Sequence, residues 1–279
     1  MSIASSTPGV RRVRHSVRTR MSEHPSVYLP FARRKYPGPS PEVIGPDTEL
    51  VIDGYTRSAS TFAVYALQLA QPRPVRLAHH LHAPAQLVEA ARRGVPALLL
   101  VREPCGAILS QIVREPGVAL RDALVAYIRF HARLVPYLHG MVVADFETVT
   151  HDFGAVIHRL NDRFGTDLVE FVPTEENNQE CLAFVEQRDS LSPVLLGFES
   201  GTVSKGEARR ELQALRERAA PGEARETWVP SARRQLAKEA LAGAWDRPEL
   251  RALRIRAEQI YWRMRASAAE DARAGLGER

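Results

Sequence analysis

Short apolar runs alternate with longer amphipathic stretches between residues 50 and 165. The runs have the length of buried strands, and the stretches between them have the apolar spacing of helices. Strands that alternate with helices of about ten residues or more predict βαβ units, in which a parallel sheet carries helices on both faces. The predicted strands span residues 50–55, 75–80, 97–101 and 141–144, and the predicted helices span 60–69, 85–93, 104–113, 118–138 and 152–164.

The last third of the chain lacks further strand patterns. Residues 208–219 and 231–269 are rich in Ala, Arg, Leu and Glu, which favour helices, and breaks are predicted at Pro221 and Pro248. The first 46 residues contain seven prolines and show no sustained apolar periodicity, which is typical of a segment that does not order itself. We therefore predict a flexible basic segment over residues 1–46 and one α/β domain over residues 47–279, with a helical C-terminal third.

The basic charge of the chain is concentrated at its N-terminus. The formal net charge is +5, of which residues 1–40 carry +7 and the remainder −2. The predicted domain is close to neutral, so we expect no nucleic-acid partner. No uncharged apolar run approaches the ~20 residues of a membrane span, and two cysteines predict neither a disulfide framework nor a cysteine-rich zinc site. We expect a cytoplasmic protein; a transit peptide is the less favoured interpretation of the Arg- and Ser-rich start.

A polar loop follows the first predicted strand and leads into a helix. It contains Arg57 and the hydroxyl residues Ser60 and Thr61. Backbone N–H groups at the start of a helix, the helix dipole and these hydroxyl groups can converge on one phosphate, with Arg57 supplying positive charge. The loop lacks the G-x-x-x-x-G-K-[ST] spacing, so the lysine that contacts the outer phosphates of a nucleoside triphosphate is missing. An ordinary strand-to-helix connection with a serine cap is the alternative interpretation.

Two further groups of polar residues lie near predicted strand ends. Arg102 ends the third strand and Ser110 lies two turns into the next helix, so both can contact one anion. His79, His80 and His82 lie at the end of the second strand, where neighbouring residues point to opposite faces, so they are not expected to bind one metal ion. A neutral imidazole near pH 7 can instead accept a proton from a reacting hydroxyl group. The alternative is that these are ordinary polar residues at a strand end.

Three stretches resemble motifs of the sulfotransferase superfamily. Residues 56–62, Thr-Arg-Ser-Ala-Ser-Thr-Phe, are similar to the 5′-phosphosulfate loop Pro-Lys-Ser-Gly-Thr-Thr-Trp, with Arg57 at the position of the lysine. Residues 100–110 are similar to the 3′-phosphate motif, in which an Arg at a strand end precedes a Ser by eight residues. Residues 145–149 are similar to the Tyr-Glu-Asp-Leu element. The resemblance spans residues 51–165 and implies a P-loop-like α/β fold of the sulfotransferase type.

The resemblance implies an enzyme that moves a sulfonate group from 3′-phosphoadenosine 5′-phosphosulfate to a hydroxyl group or amine of a small-molecule, lipid or carbohydrate acceptor, without a metal. It implies that His80 is the general base, because this residue precedes a Leu and lies 22 residues before Arg102; His79 is the second candidate. Arg57 stabilises charge on the leaving group in this scheme, although unlike lysine it does not donate a proton. The implied cofactor-binding residues are Arg57, Ser58, Ala59, Ser60, Thr61, Arg102, Ser110 and, from a weak match over residues 200–206, Lys205.

Two other functions stay open on the sequence alone. One is an ATP-dependent P-loop kinase, for which Asp145 is the only convenient acid to hold a metal ion. The other is a non-catalytic nucleotide-binding protein that works through its basic tail. The acceptor is not assigned, because residues 112–140 and 166–200 carry no recognisable signature, and the oligomeric state is equally open.

Overall fold

Four parallel strands form the centre of the fold in the computed structural model, which describes residues 8–218 and 231–274. The strands are β1 (Leu50–Gly54), β2 (Leu77–His79), β3 (Ala97–Val101) and β4 (Val142–Asp145), and they lie in the order β2-β1-β3-β4. Apolar clusters lie on both faces, so the predicted α/β class with a parallel sheet flanked by helices is confirmed. The helices are α1 (Pro8–Met21), α2 (Pro25–Lys35), α3 (Ser60–Ala70), α4 (Pro84–Arg93), α5 (Pro104–Arg114), α6 (Leu120–Leu134), α7 (Phe146–His151), α8 (Phe153–Phe164), α9 (Glu175–Gln187), α10 (Pro193–Ser200), α11 (Lys205–Arg218), α12 (Ala232–Trp245) and α13 (Arg251–Ala274).

The central strands β1 and β3 are buried along their whole length, which explains their nearly continuous apolar sequence. Asp53 in β1 is the exception. Its carboxylate is buried but accepts hydrogen bonds from the backbone N–H groups of Gly54 at 2.9 Å and His82 at 3.1 Å, and from the side-chain amide of Gln86 at 3.3 Å. A buried carboxylate requires such donors. Asp53 therefore holds the segment after β2 against the end of β1.

Prolines divide two of the predicted helical stretches in the structure. The helix predicted over residues 118–138 ends as α6 at Leu134 and continues as a 3-10 helix over Val135–Gly140, because Pro136 cannot donate to the α-helical hydrogen-bond ladder. The break predicted at Pro248 within residues 231–269 is confirmed, because α12 and α13 are separated there by a 3-10 turn over Pro248–Leu250. Helices α9 and α10 were not predicted, and residues 219 and 221 lie outside the described residues.

The N-terminal segment contributes to the core. Residues of α2 are buried in the cluster that covers one face of the sheet, and Ile44 is fully buried there as well. The prediction of a flexible segment over residues 1–46 is therefore wrong for residues 25–44, while residues 1–7 lie outside the described part of the chain. The buried positions of α2 recur at i, i+3, i+4 and i+7, a helical stripe that the surrounding prolines and cations conceal. These positions are Pro25, Tyr28, Leu29 and Ala32.

The same segment covers the outer edge of β2. Glu42 and His79 exchange two backbone hydrogen bonds of 3.1 and 3.0 Å in an antiparallel bridge. Further back along the chain, Glu23 pairs with Arg129 of α6 at 2.6 Å. The segment is thus attached to the domain before and after α2. Across residues 8–218 and 231–274, every helix is too short or too polar to cross a membrane.

Candidate functional site

A cavity of about 790 Å³ opens at the carboxyl ends of β1, β2 and β3. In an open parallel sheet, ligands bind at this edge, at the point where the strand order reverses. Here β1 has β2 on one side and β3 on the other. The cavity brings together residues from all three of the predicted polar groups: Arg57, Ala59, Ser60, Thr61, His80, His82, Arg102 and Ser110.

The loop between β1 and α3 presents backbone and hydroxyl groups at this cavity. Arg57 and Ala59 have positive φ angles of 71° and 67°, a conformation that side-chain-bearing residues rarely adopt and that occurs in anion-binding backbone nests. The hydroxyl groups of Ser58 and Ser60 are buried and have no hydrogen-bond partner among the described residues. Ser60 lines the cavity, whereas Ser58 is fully buried and does not line it. The structure therefore brings Ser60, but not the predicted residue Ser58, to the site.

Arg102 and Ser110 contact this loop directly. Nε of Arg57 donates to Oγ of Ser110 at 3.0 Å, and a guanidinium N–H of Arg102 donates to the carbonyl oxygen of Arg57 at 3.1 Å. The guanidinium of Arg102 also packs over the ring of Phe146, 3.9 Å from its centroid. A strand end and the helix that follows it therefore bring both residues to Arg57.

Helix α12 adds two cations that the sequence analysis missed. Arg234 and Lys238 lie one turn apart on α12 and line the cavity. Burial and the nearby charges of Arg102 and Arg57 lower the pKa of Lys238, and burial together with Arg234 lowers the pKa of Arg57 to about 10. The cavity therefore concentrates positive charge, which favours an anionic ligand. The sequence feature that could have identified these two cations is their i, i+4 spacing after the cap residue Ser231.

His80 is the predicted base whose ring reaches the cavity. Its Nε2 lies 3.1 Å from Oγ1 of Thr61, and its Nδ1 lies 2.6 Å from Nδ1 of His79. His79 is fully buried behind it and does not line the cavity. One of the two Nδ1 atoms must donate the proton that the other accepts. Burial, followed by the charge of Arg188, lowers the pKa of His80 well below its usual range, so the ring is neutral at pH 7.

A buried ion pair lies behind the two histidines. Glu199 of α10 contacts Arg188 at 2.9 Å and accepts a hydrogen bond from Ser40 at 3.1 Å. Its Oε2 lies 3.8 Å from Nδ1 of His80 and 4.0 Å from Nδ1 of His79. These three side chains are close enough to hold a metal ion, but Arg188 already places a positive charge on the carboxylate. Glu199 therefore faces the histidines as one half of a buried ion pair.

Backbone strain is concentrated around the cavity. Five non-glycine residues of the described chain have positive φ, and four of them line the cavity: Arg57, Ala59, His80 and His82. Such conformations persist where the surrounding structure fixes them, and they are common at functional sites. The backbone N–H of His82, for example, donates to Asp53 at 3.1 Å.

The structure does not bring Lys205 to the cavity. Its ammonium group donates to the carbonyl oxygens of Leu69 at 2.8 Å and Gln71 at 3.1 Å, at the C-terminal end of α3. The candidate loop precedes the other end of α3, and eleven residues of helix span roughly 16 Å. A cation at a helix C-terminus satisfies carbonyl groups there. Lys205 therefore stabilises this end of α3 and does not line the cavity, contrary to the prediction that it contacts the cofactor.

Comparison of the chain with protein-family models, curated proteins and solved structures finds no significant match. The interpretation of the cavity therefore rests on its own residues and their contacts.

Proposed function

We propose that the protein is a sulfotransferase with a P-loop-like fold, which moves a sulfonate group from 3′-phosphoadenosine 5′-phosphosulfate to a hydroxyl group or amine of an acceptor. The observation that carries the proposal is the composition of one cavity. It combines a loop that carries the hydroxyl residues Ser60 and Thr61, a cluster of cations around Arg57 and Arg102, and a neutral imidazole at His80. An anion-binding half beside a base is what in-line transfer from an anionic donor to a hydroxyl group requires.

In this proposal the loop over residues 56–61 holds the phosphosulfate end of the donor. Arg102 and Ser110 hold its 3′-phosphate, with Lys238 and Arg234 adding charge from α12. Each is a charged or hydroxyl donor of the kind that binds phosphate oxygens most strongly. The donor supplies the activated sulfonate, and the residues of this chain orient it and balance its charge.

The transfer forms a bond between sulfur and the acceptor oxygen or nitrogen and breaks the bond between sulfur and the bridging phosphate oxygen. Nε2 of His80 takes the acceptor proton, and the electron pair of the broken bond stays on the phosphate. Arg57 faces that developing negative charge, which is the positioned-cation form of transition-state stabilisation. When His80 becomes charged, the carboxylate of Glu199, 3.8 Å from its Nδ1, faces the new positive charge.

The kinase alternative needs an acid to hold a metal ion, and Asp145 is the candidate. Asp145 caps α7, accepting from the backbone N–H and the hydroxyl group of Thr148 at 3.1 and 3.0 Å. These contacts of Asp145 favour the sulfonate-transfer proposal over phosphoryl transfer assisted by magnesium.

A calorimetric titration tests the proposal. Adenosine 3′,5′-bisphosphate should bind more tightly than AMP, ATP or RNA, and Arg102→Ala should reduce its preference over AMP by about ten- to a hundredfold, because a charged hydrogen bond is worth about 1.5–3 kcal/mol. Arg121→Ala, which removes an exposed cation outside the cavity, should leave both affinities unchanged. His80→Ala should bind the bisphosphate normally but release none from the sulfonate donor in the presence of phenols, alcohols and amines. Equal or tighter binding of ATP by the wild-type protein would refute the proposal.

A further inference from the structure

Helix α13 packs on the domain along one face only. Its buried residues recur at i, i+4, i+7 and i+11 and belong to one apolar cluster: Ala257, Tyr261, Met264 and Ala268. These positions hold the helix against α6 and β4. The opposite face of α13 is exposed, so no element within residues 8–218 and 231–274 covers it.

The exposed face carries an apolar stripe with a regular repeat. Its positions are spaced alternately by three and four residues, which places them on one side of a helix. All six residues of the stripe are exposed, and five of them are apolar: Ala252, Ile255, Gln259, Trp262, Ala266 and Ala269. Ile255 is 45% exposed and Trp262 is 58% exposed. The stripe runs about 25 Å along the helix, so it suits a flat and extended partner.

Arginines border the stripe on both sides. Four of them are exposed between residues 251 and 269: Arg251, Arg256, Arg263 and Arg265. The guanidinium of Arg265 lies over the ring of Trp262, 5.4 Å from its centroid. Glu258 is the one acid among the exposed residues of this range. With four cations and one anion, the face carries a formal net charge of +3 and fits a negatively charged partner.

The combination of charge and apolar surface decides which partner fits this face. A second copy of the chain would place arginines against arginines, which is unfavourable. A nucleic acid would match the charge but would leave the apolar stripe without a partner. An anionic bilayer offers negative headgroups at its surface and an apolar interior beneath them. Tryptophan rings favour that boundary, and arginine side chains extend from it to the headgroups.

We propose that the exposed face of α13 is a docking surface for a bilayer that contains anionic phospholipid. The helix lies flat on the membrane, with Ile255 and Trp262 inserted below the headgroups and the four arginines beside the lipid phosphates. None of these residues lines the cavity, so the inference goes beyond the proposed reaction and does not depend on it. Docking of this kind is reversible, and it weakens as salt screens the arginines.

Tryptophan fluorescence with phospholipid vesicles tests this surface. Trp228 lies outside the described residues and is replaced by phenylalanine, which leaves Trp245, 8% exposed, and Trp262 on the docking face. Vesicles of phosphatidylserine and phosphatidylcholine should shift the tryptophan emission to shorter wavelength, and brominated acyl chains in those vesicles should quench it. Vesicles of phosphatidylcholine alone should produce neither change, because they lack the negative charge that attracts the arginines.

Cosedimentation of the full chain with the same vesicles measures the affinity. Trp262→Ser should weaken binding by about tenfold or more, because the largest apolar contact is lost, and Arg263→Gln should weaken it by about fivefold, the contribution of one cation near an anionic surface. Leu236→Gln on α12 and Arg210→Gln on α11 are the matched controls, since each removes an exposed side chain of the same kind from another helix. Both controls should bind within about twofold of the wild type.

Three results would overturn the proposal. The first is failure of the wild-type protein to bind vesicles that contain phosphatidylserine. The second is equal binding by Trp262→Ser and the wild type, which would show adsorption through charge alone. The third is a dimer in sedimentation velocity without lipid that Trp262→Ser dissociates, because a second copy would then cover the face. Circular dichroism checks the folding of each variant, and Ile255→Ser, which should also weaken binding, decides the case if Trp262→Ser does not fold.

Discussion

Replacing Ala59 by glycine should stabilise the protein, although the substitution removes a methyl group. Ala59 is the cap residue of α3 and has φ 67° and ψ 21°, in the left-handed region. This conformation costs a residue with a side chain about 1–2 kcal/mol, while glycine adopts it freely. The greater freedom of glycine in the unfolded chain offsets about 0.4–1 kcal/mol of that gain. We therefore expect Ala59→Gly to raise the free energy of unfolding by about 0.5–1 kcal/mol.

Urea unfolding and thermal melting measure this effect. For a protein of this size, about 1 kcal/mol corresponds to a rise in Tm of about 2–4 °C. Ala240→Gly is the matched control, because Ala240 is exposed within α12 and its replacement should lower stability by about 1 kcal/mol. The backbone N–H groups of the loop are retained, so the affinity for adenosine 3′,5′-bisphosphate should stay within about twofold. If both glycine variants lose stability to a similar degree, the loop does not hold the left-handed conformation in solution.

Two further predictions concern the core. Leu29 on α2 is 3% exposed, so Leu29→Ala should lower the free energy of unfolding by about 2–5 kcal/mol. Val27 on the same helix is 52% exposed, so Val27→Ala should change it by less than about 0.5 kcal/mol. Equal effects of the two substitutions in urea unfolding would contradict the packing of α2. His131 is fully buried, and burial lowers its pKa to about 4. As the pH falls, this imidazole is protonated in the unfolded chain before it is protonated in the folded protein, so stability is lost progressively below about pH 6.5. His131→Gln should reduce the loss of stability between pH 7 and pH 5 by about 2 kcal/mol, and an unchanged pH dependence would show that His131 titrates normally.

The sheet could be predicted because its physical cause acts on neighbouring residues. Strands buried on both faces need apolar side chains at every position, and Ala97–Val101 shows this directly. Arg102 and Ser110 could be found for a similar reason, since a strand end and the next helix place them by local geometry alone. The structure places both residues in contact with Arg57.

The roles of other residues could not be predicted from the sequence, because tertiary contacts decide them. Lys238 is one of many charged residues on a helix whose sequence does not show that it covers the cavity. Lys205 stands beside a glycine, which suggested a cofactor loop, yet it caps α3. The stripe on α2 was hidden by Pro30 and by Arg33 and Arg34, which are typical of unfolded segments but here lie on the exposed side of a packed helix.

The bridge between Glu42 and His79 joins the N-terminal segment to the strand that carries the proposed base. Strand β2 is only three residues long and lies at the edge of the sheet, where an uncovered edge is open to pairing with other chains. Regions of a protein open separately and with different free energies. Release of residues 40–44 would free the outer side of His79 while β1, β3 and β4 stay paired. Amide hydrogen exchange at His79 should therefore follow the opening of the N-terminal segment rather than global unfolding. The N-terminal segment thus controls how long the ring of His80 stays within hydrogen-bond distance of Thr61.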